Sequence, residues 1–140
     1  MFRTSLLAAA ITIGGLSTAS AAMVDFHATL TGQSEVPPTT TSGSGDVLAT
    51  LDTKTRKLSY TMTYMGLSGP ATAAHFHGPA AAGANAGVVL PFANAASPIE
   101  GQATLTPAQA ADLMAGKWYA NIHTAANPAG EIRGQMLPKM

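Results

Sequence analysis

The sequence predicts an all-β fold, an antiparallel β-sandwich or Greek-key barrel, with one short helix near residues 107–115. Three observations predict it. Apolar and polar residues alternate with period two through most of the chain, as they do where successive side chains face opposite sides of a strand. The alternating stretches are short and are broken at close intervals by Gly, Pro, Asn, Asp and Ser, the spacing of a sandwich or barrel. One stretch alone carries both helix-start and helix-stop chemistry.

The elements follow in order. Residues 1–22 contain one cation, Arg3, an apolar run from about Leu6 to Leu16, and small residues through Ala19-Ser20-Ala21-Ala22. That is the pattern of a cleaved export signal, and the apolar run is shorter than the roughly 20 residues a membrane span needs. The expected mature unit is a single domain, residues 23–140. In "VDFHATL" Val24, Phe26, Ala28 and Leu30 share one face, and Asp25, His27 and Thr29 the other. "EVPPTTTSGSG" (35–45) is loop chemistry. "DVLATLDTKTRKLSYTMTYMGL" reads as a hairpin turning at 52–55, with Leu58, Tyr60, Met62 and Tyr64 on one side. "ATAAHFHGPA" is a strand ending at Gly78-Pro79, and "GANAGVVLPF" and "IEGQATL" are two more. Thr106, Pro107 and Gln109 form a capping-box start and Gly116 a stop, which defines the helix. "KWYANIHT" and "GEIRGQML" close the chain as strands.

Composition narrows the chemistry. Without Arg3, six Lys and Arg face seven Asp and Glu, and no basic run marks a nucleic-acid or anionic-membrane partner. With no cysteine, thiolate metal or redox chemistry is excluded. "GLSGP" around Ser68 is not a hydrolase elbow. Glu35, Glu100 and Glu131 are scattered acids with no reason in the sequence to pair, and no glycine motif suited to phosphate is present.

The four histidines remain. His75 and His77, at i and i+2 on a strand, project from the same face while Phe76 packs behind. His123 lies opposite the apolar Trp118, Ala120 and Ile122, beside Tyr119 and Asn121, and His27 is on the polar side of its strand. A shared site of His75, His77, His123 and His27 is therefore expected to hold a metal. Imidazoles without thiolates suit copper or zinc, copper being favoured on affinity. Asp25 is the expected acceptor for the His27 ring, Met62 is expected in the core, and Met65 is a weaker soft ligand. His77 and His123 are each followed by a small-residue loop, "GPAAAGANAGVV" and "TAANPAGEIR", so two similar loops are expected to shape one end of the fold beside the histidines.

"FHATLTGQSEVPP", "GPATAAHFHGPA" and "LTPAQAADLMAGKWYANIHTAANPAGEIRGQ" resemble the CHRD domain, named for chordin and common in exported bacterial proteins. The specific block holds Tyr119, Asn121, His123, Asn127, Pro128, Gly130, Glu131, Ile132, Arg133 and Gly134. The resemblance implies an all-β extracytoplasmic domain, periplasmic or secreted. A weaker analogy is to copper–zinc superoxide dismutases, where a His-x-His strand, a later histidine and an arginine that draws in superoxide occur in the order His75, His77, His123, Arg133. The chain lacks that family's disulfide cysteines and zinc-loop ligands, so the analogy implies a copper-only centre at most, with Arg133 steering the anion. Two functions are left open: an exported copper-binding domain, dismutase-like if it is an enzyme, and a metal-free structural, adhesive or protein-binding module.

Overall fold

A computed structural model describes residues 20–140, and most of the expected export signal lies outside the described residues. Among the described residues, nine strands form one antiparallel sheet. They are β1 (Met23–Thr31), β2 (Ser44–Asp52), β3 (Lys57–Met65), β4 (Ala71–His77), β5 (Val88–Pro91), β6 (Ile99–Thr104), β7 (Tyr119–Thr124), β8 (Ile132–Gln135) and β9 (Leu137–Pro138). The spatial order is β5-β4-β7-β8-β1-β2-β3-β6, with β9 beside β1. The α-helix α1 (Pro107–Met114) starts at the predicted capping box. Thr106 Oγ1 accepts from Gln109 N, and Gln109 Oε1 accepts from Thr106 N. Gly116 leaves the helix with φ +70°, a conformation that costs glycine little.

Alternation fixes which face is buried. Phe26, Ala28 and Leu30 of β1, Val47, Ala49 and Leu51 of β2, and Leu58, Tyr60 and Met62 of β3 all point inward. The sheet curls until its two halves meet. The Tyr60 ring on β3 stands edge-on to Phe76 on β4, with centroids 5.2 Å apart, and Phe92 packs against both. Such aromatic pairs contribute about 0.5–1.5 kcal/mol each beyond their area burial. Met62 is core, as expected, whereas Met65 is exposed.

One part of the sheet departs from simple alternation. In β7 the inward Ala120 and Ile122 are buried, and so are Tyr119 and Asn121 on the other face. The loops 32–41 and 78–87 close over that second face. Arg133 is bonded to Ala84 and Asn85, Gln135 to Ala80, Tyr119 to Ala86, and Thr39 and Thr41 to Glu131. The polar face of β4, β7 and β8 is thus a second, polar interior.

Candidate metal centre

His75 and His77 leave β4 on the face that this polar interior covers. β7 pairs with β4 in the register His75↔Asn121 and His77↔Tyr119, with Ala73↔His123 beyond. A third imidazole is therefore brought to the same patch from the neighbouring strand. The three rings offer nitrogens that all lie within 4.8 Å of one another, and His75 Nδ1 is 3.0 Å from His123 Nε2.

Backbone carbonyls settle which nitrogens face inward. His77 Nδ1 donates to Ala86 O at 3.0 Å, and His123 Nδ1 donates to Pro128 O at 2.9 Å. Each acceptor belongs to the loop that follows its own histidine, so the two similar loops do flank the cluster. With Nδ1 committed, the His77 and His123 rings each turn Nε2 toward the shared point, which is the arrangement of metal-binding histidines. His77 Nε2 is buried and has no hydrogen-bond partner. Burial, then the neighbouring imidazoles, hold the His75 pKa below its ordinary value. Burial does the same for His77 against the hydrogen bonds that raise it. Both rings are held neutral, as ligation requires.

The loop 80–87 is the clamp on His77. Tyr119 Oη accepts from Ala86 N and donates to Ala86 O, at 3.1 and 3.0 Å, and its ring stacks on His77 with centroids 4.8 Å apart. Arg133 completes the clamp. Its guanidinium carbon lies 3.4 Å from the Tyr119 ring centroid, Nη1 donates to Asn85 Oδ1 and Nη2 to Ala84 O. Arg133 is 2 % exposed, so the expectation of a solvent-facing anion guide is replaced by a buried cation that fixes a loop.

His27 does not join the cluster. In the sheet order β8 and β7 separate β1 from β4, and His27 Nε2 sits 3.0 Å from Asp46 Oδ1 on β2. Asp25 is not its partner either, since that carboxylate accepts from Thr50 Oγ1 at 2.6 Å. Strand parity was right for both residues, but their partners are set by the cross-strand register.

Two acids that look scattered in the sequence serve this region. Glu131 is fully buried and accepts from Thr41 Oγ1, Ser68 N, Ser68 Oγ, Thr124 Oγ1 and Asn127 Nδ2. Burial pushes its pKa up, but these donors outweigh it and bring it to about 2. Glu35, from the Pro- and Thr-rich loop, is also buried and faces Asn121. Burial raises its pKa to about 7 against the opposing pull of Arg133 and Asn121.

A group whose folded pKa is raised loses its stabilising share as pH rises from the unfolded value, about 4.5, through the folded one, about 7. Glu35→Gln, a neutral isostere, is therefore expected to be more stable than the parent above pH 7, by on the order of 2 kcal/mol. Near pH 4.5 the two should coincide. His75 and His77 act in the opposite sense, with stability lost as pH falls below about 6.5. Urea unfolding of both metal-free proteins across pH 4.5–8 isolates the Glu35 contribution as their difference.

The family model described as the CHRD domain matches residues 26–136, a span that runs from β1 to the residue after β8. No curated protein and no solved structure matches the chain.

Proposed function

The chain belongs to the CHRD domain family, and we propose that it is an exported metal-binding β-domain whose His75, His77 and His123 take one copper ion. The observation that carries this reading is the convergence of three imidazole nitrogens within 4.8 Å, two of them oriented by backbone carbonyls. An all-nitrogen set with no thiolate among the chain's residues favours copper, with zinc as the alternative. His27, paired with Asp46, has no part in this centre.

The geometry supports binding, buffering or delivery of copper better than dismutation. Drawing in superoxide calls for an accessible cation, and Arg133 is buried under the loop it fixes. The export pattern at residues 1–22 supports a periplasmic or secreted location. Among the described residues no helix is long and apolar enough to cross a membrane.

Thermal unfolding of the metal-stripped protein tests the reading. A ligand that binds only the folded state at 100 times its dissociation constant adds about 2.7 kcal/mol. For a domain of this size that raises Tm by about 10 °C. The rise is expected with copper, smaller with zinc, and absent with either metal in His75→Ala. No rise with any metal would favour the metal-free structural or adhesive module.

A further inference from the structure

We propose that the side-chain oxygen of Asn121 is a fourth donor of this centre, and that the resulting set of three nitrogens and one oxygen favours a divalent ion over Cu(I). The proposal rests on the three-histidine reading and adds to it the residue that sets the choice of metal.

Asn121 occupies the middle of the cluster. It lies on β7 with its side chain on the same face as His123, and it is directly opposite His75 on β4. Its Oδ1 is 3.0 Å from His123 Nε2. His123 Nδ1 is held by Pro128 O, so Nε2 is the ring atom that meets the amide oxygen. A cation at that point would take both atoms as donors. The residue is 3 % exposed, so its oxygen is held inside the fold beside the three rings. His77 Nε2, the third nitrogen of the cluster, is buried and has no hydrogen-bond partner. Donors held at about 2.0–2.1 Å around a tetrahedral ion are about 3.3 Å apart. Oδ1 to His123 Nε2 and His75 Nδ1 to His123 Nε2, both 3.0 Å, are close to that edge length.

The amide's orientation is set from behind. Asn121 Nδ2 and Glu35 Oε1 lie together beside Gly130, which leaves Oδ1 toward the rings. Gly130 makes room for the pair. A Cβ at that position would sit 2.4 Å from Glu35 Oε1 and 2.8 Å from Asn121 Nδ2, and its φ of +132° disfavours any other residue. Glu35 and Gly130 are thus positioning residues for Asn121. An amide oxygen is a harder donor than imidazole. It suits Cu(II) or Zn(II) and adds little for Cu(I), which prefers soft ligands.

The test uses the full chain with Cu(II), Zn(II) or Cu(I) as the sole added metal. Affinities are read against competing chelators, and the Cu(II) EPR spectrum is recorded. Asn121→Ala is expected to weaken both divalent ions by about 10–100-fold and Cu(I) by less than about 3-fold. The double variant Asn121→Asp/Glu35→Gln keeps one amide and one carboxyl at the two positions and supplies a charged oxygen. It is expected to bind the divalent ions at least about 10-fold more tightly than Asn121→Ala, with a shifted Cu(II) hyperfine splitting. A purely structural role for Asn121 predicts equal losses for all three ions. If Asn121→Ala does not fold, the double variant decides: a Cu(II) hyperfine splitting shifted from the parent's supports the proposal and an unshifted one overturns it. Unchanged divalent affinities in both variants, with binding still lost in His77→Ala, would overturn the oxygen donor and leave the three-histidine centre standing. Failure of the parent chain to bind any ion would overturn both.

Discussion

Replacing His77 with alanine is expected to weaken copper binding by more than about 100-fold while the domain stays folded. His77 is the ring most firmly held for ligation. Its Nδ1 is taken by Ala86 O, Tyr119 stacks on it, and its Nε2 is buried without a partner. Deleting the ring removes a donor that neither neighbouring histidine can replace from its own strand. The structural cost is limited because Tyr119 and Arg133 still hold the 84–86 segment. Losing the one hydrogen bond should cost about 1 kcal/mol. Chelator competition reads the affinity and far-UV circular dichroism reads the fold. Parent-like copper affinity in this variant would place the site elsewhere.

Glu131→Gln is expected to have the largest effect on stability, a loss of about 2–4 kcal/mol. The buried carboxylate accepts from five donors on three separate segments, residues 41, 68 and 124–127. A glutamine turns two donor hydrogens toward groups that were themselves donating. Since the folded pKa is depressed to about 2 from an ordinary 4.5, the parent's Glu131 contribution is fully present above about pH 4.5. It is lost as pH falls toward 2. The variant should lack that part of the acid dependence. Urea unfolding at pH 7 and pH 3 checks both statements, and a variant as stable as the parent at pH 7 would refute the account of Glu131. The same carboxylate fixes the turn that presents Pro128 O to His123, so copper affinity should fall as well.

Much of this was legible in the sequence because strand chemistry is local. Parity along "HFH" and "YANIH" placed His75, His77 and His123 off the apolar core, and the capping residues placed α1. Family membership, carried by the block from Tyr119 to Gly134, is likewise a property of contiguous residues. What the sequence does not carry is which strands become neighbours. His27 has the right parity, yet β7 and β8 lie between its strand and β4 in the order β4-β7-β8-β1, so it meets Asp46 instead. Arg133 reads as a free cation and is buried, because loops distant in sequence cover its face. Glu35 and Glu131 looked unrelated to the histidines for the same reason. Glu35 reaches Asn121, and Thr41 reaches Glu131, only after the 32–41 loop folds across β7 and β8.

The most direct test of the central claim is the metal content of the full chain after loading with Cu(II) and exhaustive removal of unbound ion. The account predicts one copper per chain, falling to background in His75→Ala and in His123→Ala and unchanged in His27→Ala. Copper retained in the first two variants, or no copper in the parent chain, would contradict it.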